Sequence, residues 1–124
     1  KSFKECKYRL MLANKYKISE SIIDEKKMIL EGIIDSVSEE EKKRIYQLFN
    51  EGFSKLDNEM IRTIEVFFRC GLNLSDAAKE LYIHRNTLIY RLDKIEKYTG
   101  YDIRNFNNAV LFKVVFFIWK EKNK

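Results

Sequence analysis

The sequence predicts a mostly α-helical chain, with a helix-turn-helix unit in its second half preceded by helices of an upstream domain. Three observations carry this. The 124 residues contain no proline and only 4 glycines, which favours long helices over a turn-rich β fold. Apolar residues recur at three- and four-residue spacing through most of the chain. The stretch "NLSDAAKELYIHRNTLIYRL", Asn73 to Leu92, places two alanines, a short break, and then His, Arg, Asn and Thr at the mouth of a second helical pattern.

Taken in order, "SFKECKYRLMLANKYK" sets Phe3, Tyr8, Leu10, Met11 and Leu12 among lysines, and "ESII" is open to a short strand. In "IIDEKKMILEGIIDSV", Met28, Ile29, Ile33 and Val37 fall at roughly helical spacing. "SEEEKKRIYQLFNEGF" opens on Ser38 as an N-cap, with Glu41 as its capping-box partner. Ile45, Leu48 and Phe49 make its apolar face. The acids Glu39, Glu40 and Glu41 suit the first turn of a helix better than a metal or carboxylate-pair site.

A boundary is expected near Gly52 to Asp57, dividing a helical segment 1–55 from a domain 56–124. "DNEMIRTIEVFFRCG" reads as one helix, capped by Asp57 or Asn58. Ile61, Ile64 and Phe68 line one face, and Gly71 takes the left-handed C′ position. Asn73, or alternatively Ser75, caps the next, short helix, with Asp76 placed to reciprocate. Ala77, Ala78 and Leu81 face inward, small enough for a close helix crossing, and Ile83 plugs the core from the turn. A longer helix follows from about Arg85, with Leu88, Leu92, Ile95 and Thr99 on one stripe and Gly100 as its terminator. Tyr82 occupies a turn position that favours glycine, so an altered turn or some strain is expected there.

A helix–short turn–helix unit with a polar, basic second helix is the form that enters the DNA major groove. Arg85 can bond guanine bidentately and Asn86 can do the same with adenine. Ser75, Thr87, Arg91 and Lys94 suit phosphates, whose contacts set register. His84 lacks the partners a metal site needs and is read as a helix-start residue, donating to the turn backbone or to a phosphate. Tyr90 is weighed between groove contact and packing on the preceding helix. Arg91 is weighed between DNA and an ion pair with Asp93 or Glu65.

The segment "NLSDAAKELYIHRNTLIYRLDKIEKYTGYDI" closely resembles the C-terminal helix-turn-helix domain of the PucR/CdaR family of bacterial transcription regulators. The pattern from Ile83 to Gly100 carries the likeness, and "TGYDIRNFNNAVLFKVVFF" leans toward the carbohydrate diacid regulators. The unit itself is similar to that of the nucleoid protein Fis. The resemblance implies that His84, Arg85, Asn86, Thr87, Tyr90 and Arg91 belong to the DNA-reading element. It also implies that residues 1–55 are the end of a central GGDEF-like region or a linker. An effector-sensing domain would lie upstream in the full protein, so this chain would not bind the effector. Ile89 departs from the family's usual polar or basic residue.

Formal net charge is +5, compatible with a polyanionic partner. Cys6 and Cys70 lie far apart with no CxxC pair, which reads as two reduced thiols in a cytoplasmic protein. Lys1 in place of Met is read as the start of a fragment. "AVLFKVVFFIW", Ala109 to Trp119, is too short to span a bilayer and carries Lys113, so a buried helix is expected and no membrane partner. Being apolar nearly all round, that helix could also meet a second copy, and a homodimer would double a half-site contact. No nucleophile–base pair, glycine-rich phosphate loop or metal cluster is legible, so the chain reads as a non-enzyme without cofactor. The rival reading is a protein-interaction module of helix-turn-helix shape. RNA recognition is weaker, for want of stacking platforms.

Overall fold

The structure is a computed structural model that describes residues 25–123. The first apolar segment and the "ESII" stretch lie outside the described residues. The chain divides into two compact units, 1–39 and 40–124. In the first, residues 25–35 are helical. The helix closes on Ser36, whose N–H donates to Gly32 O and Ile33 O, both at 3.1 Å. Met28, Ile29 and Ile33, read as helically spaced, lie on this helix and are exposed, and Val37 lies past its end.

The second unit is built from five helices among the described residues: α1 (Glu39–Phe53), α2 (Asn58–Arg69), α3 (Leu74–Leu81), α4 (Arg85–Thr99) and α5 (Phe106–Lys122). Each break has a local cause. Asp57 caps α2 by accepting from the Met60 N–H at 2.8 Å, which settles the choice between Asp57 and Asn58. α2 ends in a Schellman motif: Leu72 N–H donates to Phe67 O and Gly71 N–H to Phe68 O, both at 3.0 Å, with Gly71 at φ +66°. Asn73, not Ser75, caps α3, accepting from the Asp76 N–H at 2.9 Å. Asn105 caps α5 in the same way through the Asn108 N–H at 3.0 Å.

One core serves all five helices. Ile64 and Phe67 of α2, Ala77 of α3, and Leu88, Leu92 and Ile95 of α4 are fully buried together with Phe53 and Phe112. Full burial of each large side chain contributes about 1.5–3 kcal/mol. α1 joins this core rather than standing apart from it. Phe53 stacks on Phe112 at 5.2 Å between ring centroids and meets Trp119 edge-on at 5.8 Å. The Trp119 indole N–H donates to Asn50 Oδ1 at 3.0 Å. The expected boundary near residues 52–57 therefore falls in the turn between α1 and α2, while the compact unit begins at Glu40. On α1 the buried face runs through Ile45, Tyr46, Phe49 and Phe53, and Leu48 is exposed, in contrast to its expected place.

α1 and α4 touch backbone to backbone. At Gly52 a Cβ would lie 2.2 Å from the Tyr98 carbonyl oxygen and 3.3 Å from its carbon. Only glycine lets α1 settle this closely on the last turn of α4. The aromatic α5 buries Ala109, Phe112, Val115, Phe116, Ile118 and Trp119, and leaves Phe106, Val110 and Leu111 exposed. Among the described residues, no helix is long and apolar enough to cross a membrane.

Candidate nucleic-acid interface

The site is organised by the turn between α3 and α4. α3 ends with a second Schellman motif: Ile83 N–H donates to Ala78 O at 3.0 Å and Tyr82 N–H to Lys79 O at 3.1 Å. Tyr82 sits at φ 56°, ψ 42°, in the left-handed region that glycine usually fills. The turn is thus not altered to suit tyrosine. Tyrosine adopts the turn's conformation, at a cost of about 1–2 kcal/mol, and its side chain is 92% exposed. Ile83 packs on the core and pins the turn to it.

His84 is the N-cap of α4, with extended backbone and no side-chain capping bond. The imidazole accepts no capping bond from the first-turn N–H groups, and it is exposed. Arg85, Asn86 and Thr87 follow in the first turn, all three exposed, and that turn holds no acid. Its N–H groups have no partner within the helix, so this end of α4 presents donors and positive charge together.

The stripe of Leu88, Leu92 and Ile95 is fully buried and fixes the rotation of α4. Asn86, Tyr90, Asp93 and Lys97 occupy the opposite, exposed face. Tyr90 is 60% exposed, which places it on that outer face rather than in the core. Lys94 lies over two rings, with its Nζ 5.6 Å from the Tyr90 centroid and 5.8 Å from that of Tyr98. Hydrogen bonding to Tyr98, and interactions with Tyr90, hold the Lys94 ammonium above its ordinary range. This Tyr–Lys–Tyr ladder follows four-residue spacing, a signal legible in the sequence that brings Tyr98 beside Lys94.

Arg91 has a different neighbourhood from the others. Its guanidinium pairs with Glu59 at 3.3 Å and donates to the buried Thr63 hydroxyl at 3.2 Å, and its side chain is only 17% exposed. Neither expected ion-pair partner is the one used: Glu65 pairs with Lys120 and Asp93 with Arg104. Arg91 thus ties α4 to α2. Ser75 is exposed in the first turn of α3, on a separate helix from the rest.

Arg104, in the turn between α4 and α5, was not singled out from the sequence. Its Nε donates to Asp102 Oδ1 at 2.6 Å, and its Nη2 reaches Asp93 Oδ1 at 2.8 Å and Glu96 Oε1 at 3.5 Å. Burial pushes the Asp102 carboxyl up, but the bonds from Arg104 outweigh it, and the group lies below its ordinary value. Among the described residues, no group of three His, Cys, Asp or Glu side chains could hold a metal ion.

Comparison with known proteins agrees with this architecture. Residues 60–116 match the PucR C-terminal helix-turn-helix domain family. The chain is 39% identical over 61 residues to the carbohydrate diacid regulator of Escherichia coli (strain K12), covering 49% of this chain and 16% of that protein. It is also 39% identical over 49 residues to the purine catabolism regulatory protein of Bacillus subtilis (strain 168), covering 40% of this chain and 9% of that one. The chain therefore spans less than a fifth of either relative. The fold is similar to that of a regulator of polyketide synthase expression from Bifidobacterium adolescentis, with a TM-score of 0.58 and 24% identity over 67% of this chain and 35% of that one. A capped α2, a short α3 with small inward residues, and an α4 whose exposed first turn is polar and basic make up the matched region, and residues 60–116 form a PucR C-terminal helix-turn-helix domain.

Proposed function

We propose that the chain binds double-stranded DNA sequence-specifically through α4, as the DNA-binding part of a transcriptional regulator. The observation that carries the reading is the first turn of α4. Arg85, Asn86 and Thr87 stand exposed there, with no acid in the turn, on a helix whose rotation is locked by three buried residues. Arg85 and Asn86 read base edges. Ser75, His84, Thr87 and Lys94 meet phosphate or the groove wall, and Tyr90 lies along the groove. Arg91 acts first as the tie to Glu59 and Thr63, and reaches phosphate only where that pair opens.

The same reading extends to the whole protein. The N-terminal segment, expected as residues 1–55 and shortened to 1–39 by the packing of α1 into the core, belongs with an upstream central region, and an effector-sensing domain outside this chain would control binding. The segment "TGYDIRNFNNAVLFKVVFF" supports a role in sugar diacid utilisation. Two copies would bind a two-fold site, and the exposed Phe106, Val110 and Leu111 support a protein contact of this kind. The contrasting reading, an interaction module without DNA, would leave the basic first turn of α4 without a use.

The test compares Arg85→Ala with Lys94→Ala on a site selected from random duplexes and on random DNA. Arg85→Ala should cost about 1–3 kcal/mol on the selected site and relax one base position. Lys94→Ala should weaken binding to all sequences and reduce the salt slope by about 1. Equal loss on both DNAs for Arg85→Ala would sink the base-reading role.

A further inference from the structure

The groove-facing stripe of α4 contains an acid. Asp93 follows Asn86 and Tyr90 at helical spacing on the exposed face, and Glu96 lies one turn further toward the C-terminus. Two carboxylates on a helix that approaches phosphates should oppose binding. The structure answers this from outside the helix-turn-helix. Arg104 places one guanidinium against both, with Nη2 at 2.8 Å from Asp93 and 3.5 Å from Glu96. Its Nε is held at 2.6 Å by Asp102, and its own backbone N–H also donates to Asp102 at 3.1 Å. The Arg104 side chain is about one-quarter exposed, at 26%, while Asp93 and Glu96 remain exposed beside it, so solvent and salt screen these pairs.

We infer that Arg104 is a positioning residue for DNA binding: it offsets part of the negative charge of Asp93 and Glu96 and so keeps the α4 face more positive, without itself touching DNA. The sign of the effect follows from charge. Asp93, Glu96 and Asp102 each carry −1 and Arg104 +1, so the guanidinium brings the net charge of the cluster from −3 to −2, while Asp102 fixes it where it meets the two acids of α4. Loss of Arg104 therefore uncovers two acids at the groove. It also loosens the turn that carries the chain from α4 into α5.

The inference rests on the DNA-binding reading, and one set of titrations separates the two. Binding of a selected duplex is followed by fluorescence anisotropy at low and moderate salt, with thermal unfolding of each variant alongside. Arg104→Gln should bind about tenfold more weakly at low ionic strength, the order expected for uncovered charges within a Debye length of the phosphates. The deficit should shrink as salt rises. Adding Asp93→Asn and Glu96→Gln to Arg104→Gln should restore affinity, and by a larger factor than the same pair gives with Arg104 in place. Arg104→Lys, which keeps the charge, should retain most of the affinity even where Arg104→Gln lowers the melting temperature.

A loss that persists in the triple variant would overturn the inference, and Arg104 would then act as a direct phosphate contact or through the turn it holds. Unchanged binding by Arg104→Gln would overturn it too. Failure of the unaltered chain to bind any duplex would overturn the DNA-binding reading itself, and this inference with it.

Discussion

The close approach of α1 to α4 can be tested by one methyl group. Gly52 lies inside α1, where alanine is intrinsically better than glycine by about 1 kcal/mol. Propensity alone therefore predicts that Gly52→Ala stabilises the protein. The structure predicts the opposite. The added Cβ would sit 2.2 Å from the Tyr98 carbonyl oxygen and 3.5 Å from the Thr99 Cα. A carbon and a carbonyl oxygen ordinarily approach no closer than about 3.3 Å, so the two helices must part by about 1 Å. The obstacle is backbone, which cannot rotate away as a side chain can. Overpacking of this kind costs about 1–3 kcal/mol, and more where the backbone must move. Because the backbone must move, the upper part of that range applies, about 2–3 kcal/mol, and subtracting the propensity gain leaves a net loss of about 1–2 kcal/mol, or a fall in Tm on the order of 10 °C for a unit of this size. Thermal unfolding followed by circular dichroism reads this directly. Gly32→Ala is the companion, since a Cβ there meets nothing within 4 Å, and it should not lower Tm. A Gly52→Ala variant as stable as the parent, or more so, would refute the close approach and the placement of α1 in the core.

Three further outcomes are expected. Tyr82→Gly should raise stability by about 1 kcal/mol, because it relieves the left-handed backbone of an exposed tyrosine; a loss of stability in denaturant titration would show that the tyrosine side chain matters to the turn. Asn73→Ala should cost about 1 kcal/mol by removing the cap on the Asp76 N–H, whereas Ser75→Ala, which caps nothing, should be close to neutral in the same titration. The Asp102 carboxyl is lowered in the folded chain, so its contribution is present above the unfolded carboxylate range and is lost as pH falls through the folded value. Asp102→Asn should thus reduce stability at neutral pH and lessen the acid sensitivity below about pH 4, a window that a series of melts across pH 2–7 would cover.

Much of the helix-turn-helix was legible because its punctuation is local. Asp57, Asn73 and Gly100 are cap signals that act within four residues of themselves, and the Leu88–Leu92–Ile95 stripe needs only helical geometry to be read. What escaped the sequence depends on partners far along the chain. α1 joins the core through Phe53 on Phe112 and Trp119 on Asn50, contacts that no local pattern announces. Leu48 has the right spacing for a buried face, but that face of α1 turns to solvent. Arg91 has the right chemistry for phosphate, yet Glu59 and Thr63 stand 28 or more positions away in sequence and take its guanidinium first. Tyr82 illustrates a different limit. Of the two outcomes expected there, an altered turn or strain, the structure takes strain, because the hydrogen bonds of Ile83 and Tyr82 to α3, and the packing of Ile83, hold the left-handed conformation.

The central claim, that α4 reads DNA, is tested most directly by selecting bound sequences from a random duplex library at two salt concentrations. The account predicts an enriched motif that survives the higher salt and contains a guanine whose preference is lost in Arg85→Ala. If two copies bind together, the motif is two-fold, with half-sites about 34–36 Å apart. Absence of binding at low salt, where phosphate contacts alone should hold a basic helix to any duplex, would contradict it.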